Sequence, residues 1–262
     1  DLGGLEKYAI KNRLLGTALE MDEGVDLLAL ARAEGGLPPG SLGEVWFNEA
    51  NREVEQFLLQ WGDELRGEKE ISQILDIDLN GIRLRGELGP FIQGRQILFR
   101  CVDKIKVKDR IRTWVRHLFV SAFAKSGGVE TRFYCSDKKI FRLQPIESVA
   151  AQELIGDLIA LYKRGMTEPL PFFPEVSYAF HKEISGLQGV ENEKISEIRS
   201  KALQDVRNKW YPSPQNSHPE GENSANKLCF RKEPFEDSDF EELSATVFGP
   251  MLDLSSEGLG DE

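Results

Sequence analysis

Apolar residues along this chain follow two rhythms. Over residues 1–20, Leu5, Tyr8, Ala9 and Leu15 lie on one side of a helix. Over 42–65, Leu42, Val45, Trp46, Phe57, Leu58 and Leu65 are compatible with an amphipathic helix. Period two then takes over. Residues 74–79 read as a strand, Asn80-Gly81 as a tight hairpin turn, and 82–88 as the partner strand. Gly89-Pro90 breaks the pattern, and residues 96–102 give a third strand. The strongest helical pattern starts near Asp109. Ile111, Trp114, Val115, Leu118, Phe119, Ala122 and Phe123 share one face, and Ser126-Gly127-Gly128 ends it.

Residues 130–134 and 139–143 predict two further strands. A long helix is expected from about Glu147 to Arg164, with Gly165 as its C-cap and Lys163 and Arg164 complementing its dipole. The next stretch, Met166 to Pro174, holds three prolines, two phenylalanines and a leucine. Proline removes amide donors, so the segment is neither helix nor central strand, yet it carries the apolar load of one. It either plugs its own core or docks against another protein. Residues 192–210 predict a helix, 211–226 a loop rich in Pro, Ser, Asn and Gly, and 238–248 a last helix. The acidic tail, 253–262, has too little apolar surface to order itself. The expected architecture is mixed α/β, a small mixed sheet flanked by helices, with residues 1–252 as one domain and 253–262 as a disordered tail.

Composition narrows the classes. The chain has 262 residues, 40% hydrophobic and 29% charged, a globular profile with no run approaching the roughly 20 apolar residues that span a bilayer. It carries no basic-then-apolar leader pattern and no initiator Met, which suits a fragment of a longer cytoplasmic protein. Cys101, Cys135 and Cys229 are widely spaced and read as reduced, buried thiols; with three His they make no zinc pattern. There is no phosphate-binding Gly-rich loop and no hydrolase triad, and no metal or cofactor is expected. The net charge of −11 opposes a simple nucleic-acid binder, but its distribution does not. Arg95, Arg100, Lys104, Lys106, Lys108, Arg110, Arg112 and Arg116 cluster against only Asp103 and Asp109. Lys104, Lys106 and Lys108 alternate with Ile105 and Val107, and such a row can track phosphates without reading bases. The bland alternative is a solvated basic face.

Several segments, in order, resemble the C-terminal part of the RecC family, the gamma subunits of bacterial exodeoxyribonuclease V (the RecBCD helicase–nuclease). They are Asp1-Leu2-Gly3-Gly4-Leu5-Glu6-Lys7-Tyr8, then Leu37-Pro38-Pro39-Gly40-Ser41-Leu42-Gly43-Glu44. Leu161-Tyr162-Lys163-Arg164-Gly165-Met166 with Pro169-Leu170-Pro171-Phe172-Phe173-Pro174 follows, and Phe240-Glu241-Glu242-Leu243 with Pro250-Met251-Leu252 closes the set. The resemblance implies a restriction-endonuclease-like core of the PD-(D/E)xK type. It also implies helicase–nuclease (beta) and helicase (alpha) subunits as partners, and double-stranded DNA as ligand, in break repair and recombination. Leu37, Pro38, Pro39, Pro169, Leu170, Pro171, Phe172, Phe173 and Pro174 would then be docking loops.

Active members of that nuclease class carry an Asp on one strand and Asp/Glu-x-Lys on the next, to hold Mg²⁺ and activate water. Here the aligned positions read Gly89, then Arg100 and Val102, so the motif is degenerate and the domain is expected to be non-catalytic. A migrated motif would need Glu87, Asp103 and Lys106, but the last two are one residue too far apart to share a strand face. Phe91 and Ile92, expected at a hairpin tip, either wedge against a DNA base pair or fold back onto the core. Trp210-Tyr211 at a helix end reads as a base-stacking pair or as core. His117 beside the apolar helix face reads as structural.

Overall fold

A computed structural model describes residues 4–20, 25–70, 72–79, 81–124, 128–185, 192–214, 216, 218–236 and 238–259. Asn80, Ser126 and Gly127 lie outside the described residues, as do the first three residues and the last three. Helices α1 (Gly4–Glu20), α2 (Leu27–Ala33) and α3 (Ser41–Leu65) come first. Five strands follow: β1 (Lys69–Glu70), β2 (Gln73–Leu79), β3 (Ile82–Leu88), β4 (Phe91–Ile92) and β5 (Arg95–Phe99). Helix α4 (Val107–Phe123) leads to β6 (Thr131–Tyr134) and β7 (Lys139–Leu143). The chain continues through α5 (Ser148–Gly165), α6 (Pro174–Ile184), α7 (Asn192–Trp210), α8 (Ser224–Cys229) and α9 (Ser238–Leu254), and closes with β8 (Ser255–Leu259). Among the described residues no helix is long and apolar enough to cross a membrane.

The main sheet runs β1-β4-β5-β6-β7-β8, and β2-β3 forms a separate two-stranded hairpin. Every neighbouring pair in the main sheet is antiparallel except β5 and β6, which α4 joins as a parallel crossover. Both faces are covered, which explains why all four residues of β6 are buried. Ile97, Tyr134 and Ile140 face α1 and α3, packing with Leu15, Phe57 and Trp61. Phe133, Phe141 and Leu143 face the other way, onto Trp114, Leu118, Ile155 and Phe248. Trp61 Nε1 donates to the Cys135 carbonyl at 2.8 Å and ties α3 to the end of β6. A third core, around Phe173, Phe180, Trp210 and Phe240, unites the C-terminal helices.

Several expectations need correction. The strand expected to reach Val102 ends at Phe99. Gly165 is the last helical residue of α5, and the cap is Met166 in the right-handed region, so no left-handed glycine cap forms. The loop expected over 211–226 is partly helical. In it the Glu220 carboxylate accepts from the Glu175 and Val176 amides at 3.2 and 2.9 Å and caps α6. The acidic tail is ordered through Leu259. Its backbone pairs with β7, so main-chain hydrogen bonds do what apolar burial could not. Cys101 and Cys135 are buried free thiols, but Cys229 is exposed on the short α8.

Candidate nucleic-acid interface

The basic segment sits at the entry of α4, and half of it is built into the fold. Asp109, 2% exposed, receives the Arg100 guanidinium at 2.7 Å, has Arg112 at 4.0 Å, and accepts from the Lys106 amide at 3.4 Å. Arg100 also lies over the Tyr8 ring, 5.5 Å from its centre. Arg110 was expected among the phosphate contacts. Instead it is buried between the Phe141 and Tyr178 rings, at 4.9 and 5.4 Å, and is paired with Glu257 of β8. Arg95 pairs with Glu130 at 3.2 Å. Arg100 and Arg110 are therefore corrected from ligand contacts to internal ion-pair partners, whereas Arg95, 42% exposed, shares the Glu130 carboxylate with Arg132. Ordering of the tail created a partner for Arg110 that spacing alone could not reveal.

The remainder is different. Lys104, Lys106, Lys108 and Arg116 are exposed and have no ion-pair partner among the described residues. Because α4 begins at Val107, Lys108 is helical and the expected alternating row stops at Lys106. Lys108, Arg112 and Arg116 instead stand four apart on the helix, about 6 Å between neighbours along the axis. Lys104 and Lys106 precede the helix N-terminus, where cations gain nothing from the helix dipole.

The proposed wedge and docking residues lie elsewhere than expected. Phe91 and Ile92 are 2% and 5% exposed, because β4 is flanked by β1 and β5. The tip of that hairpin is Gln93-Gly94, both at positive φ as a tight two-residue turn requires. Phe91 and Ile92 are thus core residues and not a wedge. Phe173 and Pro171 are buried, Phe172 stacks on Phe248 at 5.6 Å, and Pro174 opens α6. The segment plugs the seam between the second and third cores, since a strand-like apolar load without amide donors fits between helices. Leu37 packs on α1–α3, and the Pro38 carbonyl would lie 2.1 Å from a Cβ at Gly43. Leu37, Pro38 and Leu170 are half-buried; only Pro39 and Pro169 of the nine docking candidates are exposed. Trp210 is core, in contact with Phe173 at 4.6 Å between ring centres, and Tyr211 donates to Glu233 at 2.9 Å.

The nuclease-like positions are also dispersed. Gly89 has φ of +134°, and a Cβ there would meet Ser72 Oγ at 3.1 Å, so a carboxylate at this position would be strained. Arg100 is held by Asp109, and Val102 is half-buried. The two stretches were read as successive strands, but β3 pairs only with β2, whereas β5 lies between β4 and β6. Glu87 lines a cleft beside α4, and Asp103 lines a separate hollow with Glu53 and Lys138. Among the described residues no three His, Cys, Asp or Glu side chains gather as a metal site would need.

That cleft beside α4 was not anticipated. Its volume is about 340 Å³, and Leu75, Leu84, Gly86, Leu88, Gln96 and Phe119 line it, with Arg83, Arg85, Glu87 and Arg116 around them. Asp76 holds Arg83 at 2.7 Å and Arg85 at 3.1 Å; the Arg83 hydrogen bond is the main cause of its lowered pKa. Behind Gln96 runs a buried polar chain. Thr131 Oγ1 donates to Gln96 Oε1 at 3.0 Å and lies 2.9 Å from His117 Nδ1. Burial pushes the His117 pKa down to about 4, so the imidazole is neutral. The legible signal for the cleft was Gly86, which interrupts the inward series Ile82, Leu84, Leu88.

Comparison with known proteins places this geometry in context. The family model for the RecC C-terminal domain matches residues 1–185. The RecBCD enzyme subunit RecC of Escherichia coli (strain K12) is 28% identical over 209 residues, 78% of this chain and 18% of that protein. Its counterpart in Mycolicibacterium smegmatis (strain ATCC 700084 / mc(2)155) is 27% identical over 194 residues, 69% of this chain and 17% of the relative. The chain thus spans under a fifth of the length of these curated relatives.

Proposed function

The chain belongs to the RecC C-terminal domain family, and from that premise we propose that it is a non-catalytic module of a RecBCD-type helicase–nuclease acting in double-strand break repair. Its task is to contact duplex DNA through Lys104, Lys106, Lys108, Arg112 and Arg116, and to dock the partner helicase–nuclease and helicase subunits. The observation that carries the DNA contact is that row of exposed cations on an acidic chain, in which Lys104, Lys106, Lys108 and Arg116 have no ion-pair partner among the described residues and Arg112 only the distant Asp109. For docking, exposed apolar residues flank the two buried loops: Pro39 with Leu42 and Val45, and Pro169 with Tyr162 and Met166.

A degenerate nuclease core is part of this reading. At the positions where the resemblance puts the motif, Gly89 and Val102 offer no metal ligand and Arg100 is a cation already held by Asp109, so no metal site is assembled there.

The test is a salt titration of duplex binding, run beside a cleavage assay in Mg²⁺ and Mn²⁺. Log affinity should fall against log salt by about 0.9 per phosphate contacted. A flat titration removes the DNA contact and leaves only the docking role. Metal-dependent cleavage that Glu87→Ala abolishes would replace the scaffold reading with an enzyme.

A further inference from the structure

The cleft between β3 and α4 is unfilled for a local reason. Side chains on β3 alternate, and Ile82, Leu84 and Leu88 turn inward toward α4. Gly86 occupies the inward position between Leu84 and Leu88, opposite Leu75 on β2. A Cβ built at Gly86 meets nothing within 4 Å, and its φ is not in the left-handed region. The backbone therefore does not demand glycine, and packing leaves a gap of about 340 Å³, near the lower bound of small-molecule pockets.

The lining is specific in character. Leu75, Leu84, Leu88 and Phe119 make apolar walls. Gln96, 1% exposed, lines the same space; its Oε1 is taken by Thr131, and its amide nitrogen has no hydrogen-bond partner among the described residues. Among the described residues the fully buried side-chain atoms without a partner are His117 Nε2, Ser121 Oγ and His181 Nδ1; the Gln96 nitrogen is not one of them, so it reaches open space and can donate to an acceptor in the cleft. At the rim Arg116 is without an ion-pair partner among the described residues, Arg83 and Arg85 share the single carboxylate of Asp76, and Glu87 is the one acid, so the rim carries a small net positive charge. Apolar walls, one amide donor and a cationic rim match a nucleotide: a base faces the walls, a base carbonyl or ring nitrogen accepts from Gln96, and its phosphate lies against Arg116.

We propose that the β3–α4 cleft, opened by Gly86, holds one unpaired base of single-stranded DNA, with Gln96 and Arg116 as its polar contacts. The proposal rests on the DNA-contacting reading above and deepens it, since Arg116 also ends the cation row. Strand separation would present such a base; an intact duplex would not.

The test uses the full chain, a fluorescent (dT)₁₀ and a duplex of equal charge. Gly86→Val narrows the cleft from a strand position that accepts a β-branched residue. It should weaken (dT)₁₀ binding by about tenfold, leave duplex binding within about twofold, and leave the melting temperature unchanged or raised. Should Gly86→Val fail to fold, Arg116→Gln at the exposed rim decides, with a larger loss on (dT)₁₀ than on duplex expected. Unchanged (dT)₁₀ affinity in the variant that folds overturns the base site while duplex binding stands. Wild-type protein that binds neither DNA overturns both readings together.

Discussion

Arg100 and Asp109 are 2.7 Å apart, with the carboxylate 2% exposed at the start of α4. In the sequence Arg100 reads as a replacement for the acid of a nuclease motif and as a phosphate contact. Its partner is internal. Arg100→Ala leaves a buried carboxylate with only a distant Arg112, so about 3 kcal/mol of stability should be lost. Urea unfolding should show a lower midpoint at unchanged slope, while duplex affinity stays within about twofold. A large affinity loss with intact stability would return Arg100 to the DNA-contacting row.

The tail gives a second expectation. Glu257 of β8 supplies the carboxylate for Arg110, which is sandwiched between Phe141 and Tyr178. Glu257→Ala leaves that guanidinium its ring contacts but no counter-charge, and about 2 kcal/mol of destabilisation is expected. Amide exchange across Ser255–Leu259 should be protected in the wild type through the pairing with β7. Unprotected amides there, with no loss in the variant, would restore the tail to a disordered appendage.

Phe173 discriminates core from docking loop. It is buried against Trp210 and Phe230, at 4.6 and 5.2 Å between ring centres. Phe173→Ala should cost about 3–5 kcal/mol and lower the melting temperature of the chain by itself. A docking residue would instead weaken partner binding and leave the melting temperature alone.

These cases mark what could be read from residues alone. Long periodic elements were legible: α3, the β2–β3 hairpin, α4 and α5 are where their patterns put them, because a buried stripe leaves a strong trace. Short α2 and α8 have too few turns for a stripe. The edge strand β8 is held by backbone pairing, which writes nothing into side-chain types. At the site, the exposed cations were legible as charge, but pairing is a long-range property. The distance from Arg110 to Glu257 spans 147 positions, and no spacing rule connects them. Phe91 and Ile92 looked like a tip because β1, only two residues long, gave no sign that β4 had a neighbour on its other side.

His117 sets the acid response. Its pKa is pushed down to about 4 by burial, against about 6.5 in the unfolded chain. Above pH 6.5 both states hold it neutral, and it makes no pH-dependent contribution. Between about 6.5 and 4 the unfolded chain binds the extra proton and the folded one does not, so stability falls as pH falls. The loss at the bottom of that window is on the order of 3 kcal/mol. His117→Gln should lower stability at pH 8 and flatten its fall between pH 6.5 and 4; an unchanged slope would remove His117 as the cause.

The cation row separates function from stability. Lys104, Lys106 and Lys108 are exposed and unpaired among the described residues, so replacing them by Ala should change stability by less than about 0.5 kcal/mol each. If each touches one phosphate, the triple variant should flatten the salt dependence of duplex binding by about 2.7 in slope. Affinity should fall for every duplex alike, since phosphate contacts carry no base sequence. Arg95→Ala, at a cation that shares Glu130 with Arg132, is the comparison and should lower the slope less than a lysine replacement does. If Arg95→Ala lowers the slope as much as a lysine replacement does, the division between paired and unpaired cations is wrong, and the DNA surface must extend from α4 across β5.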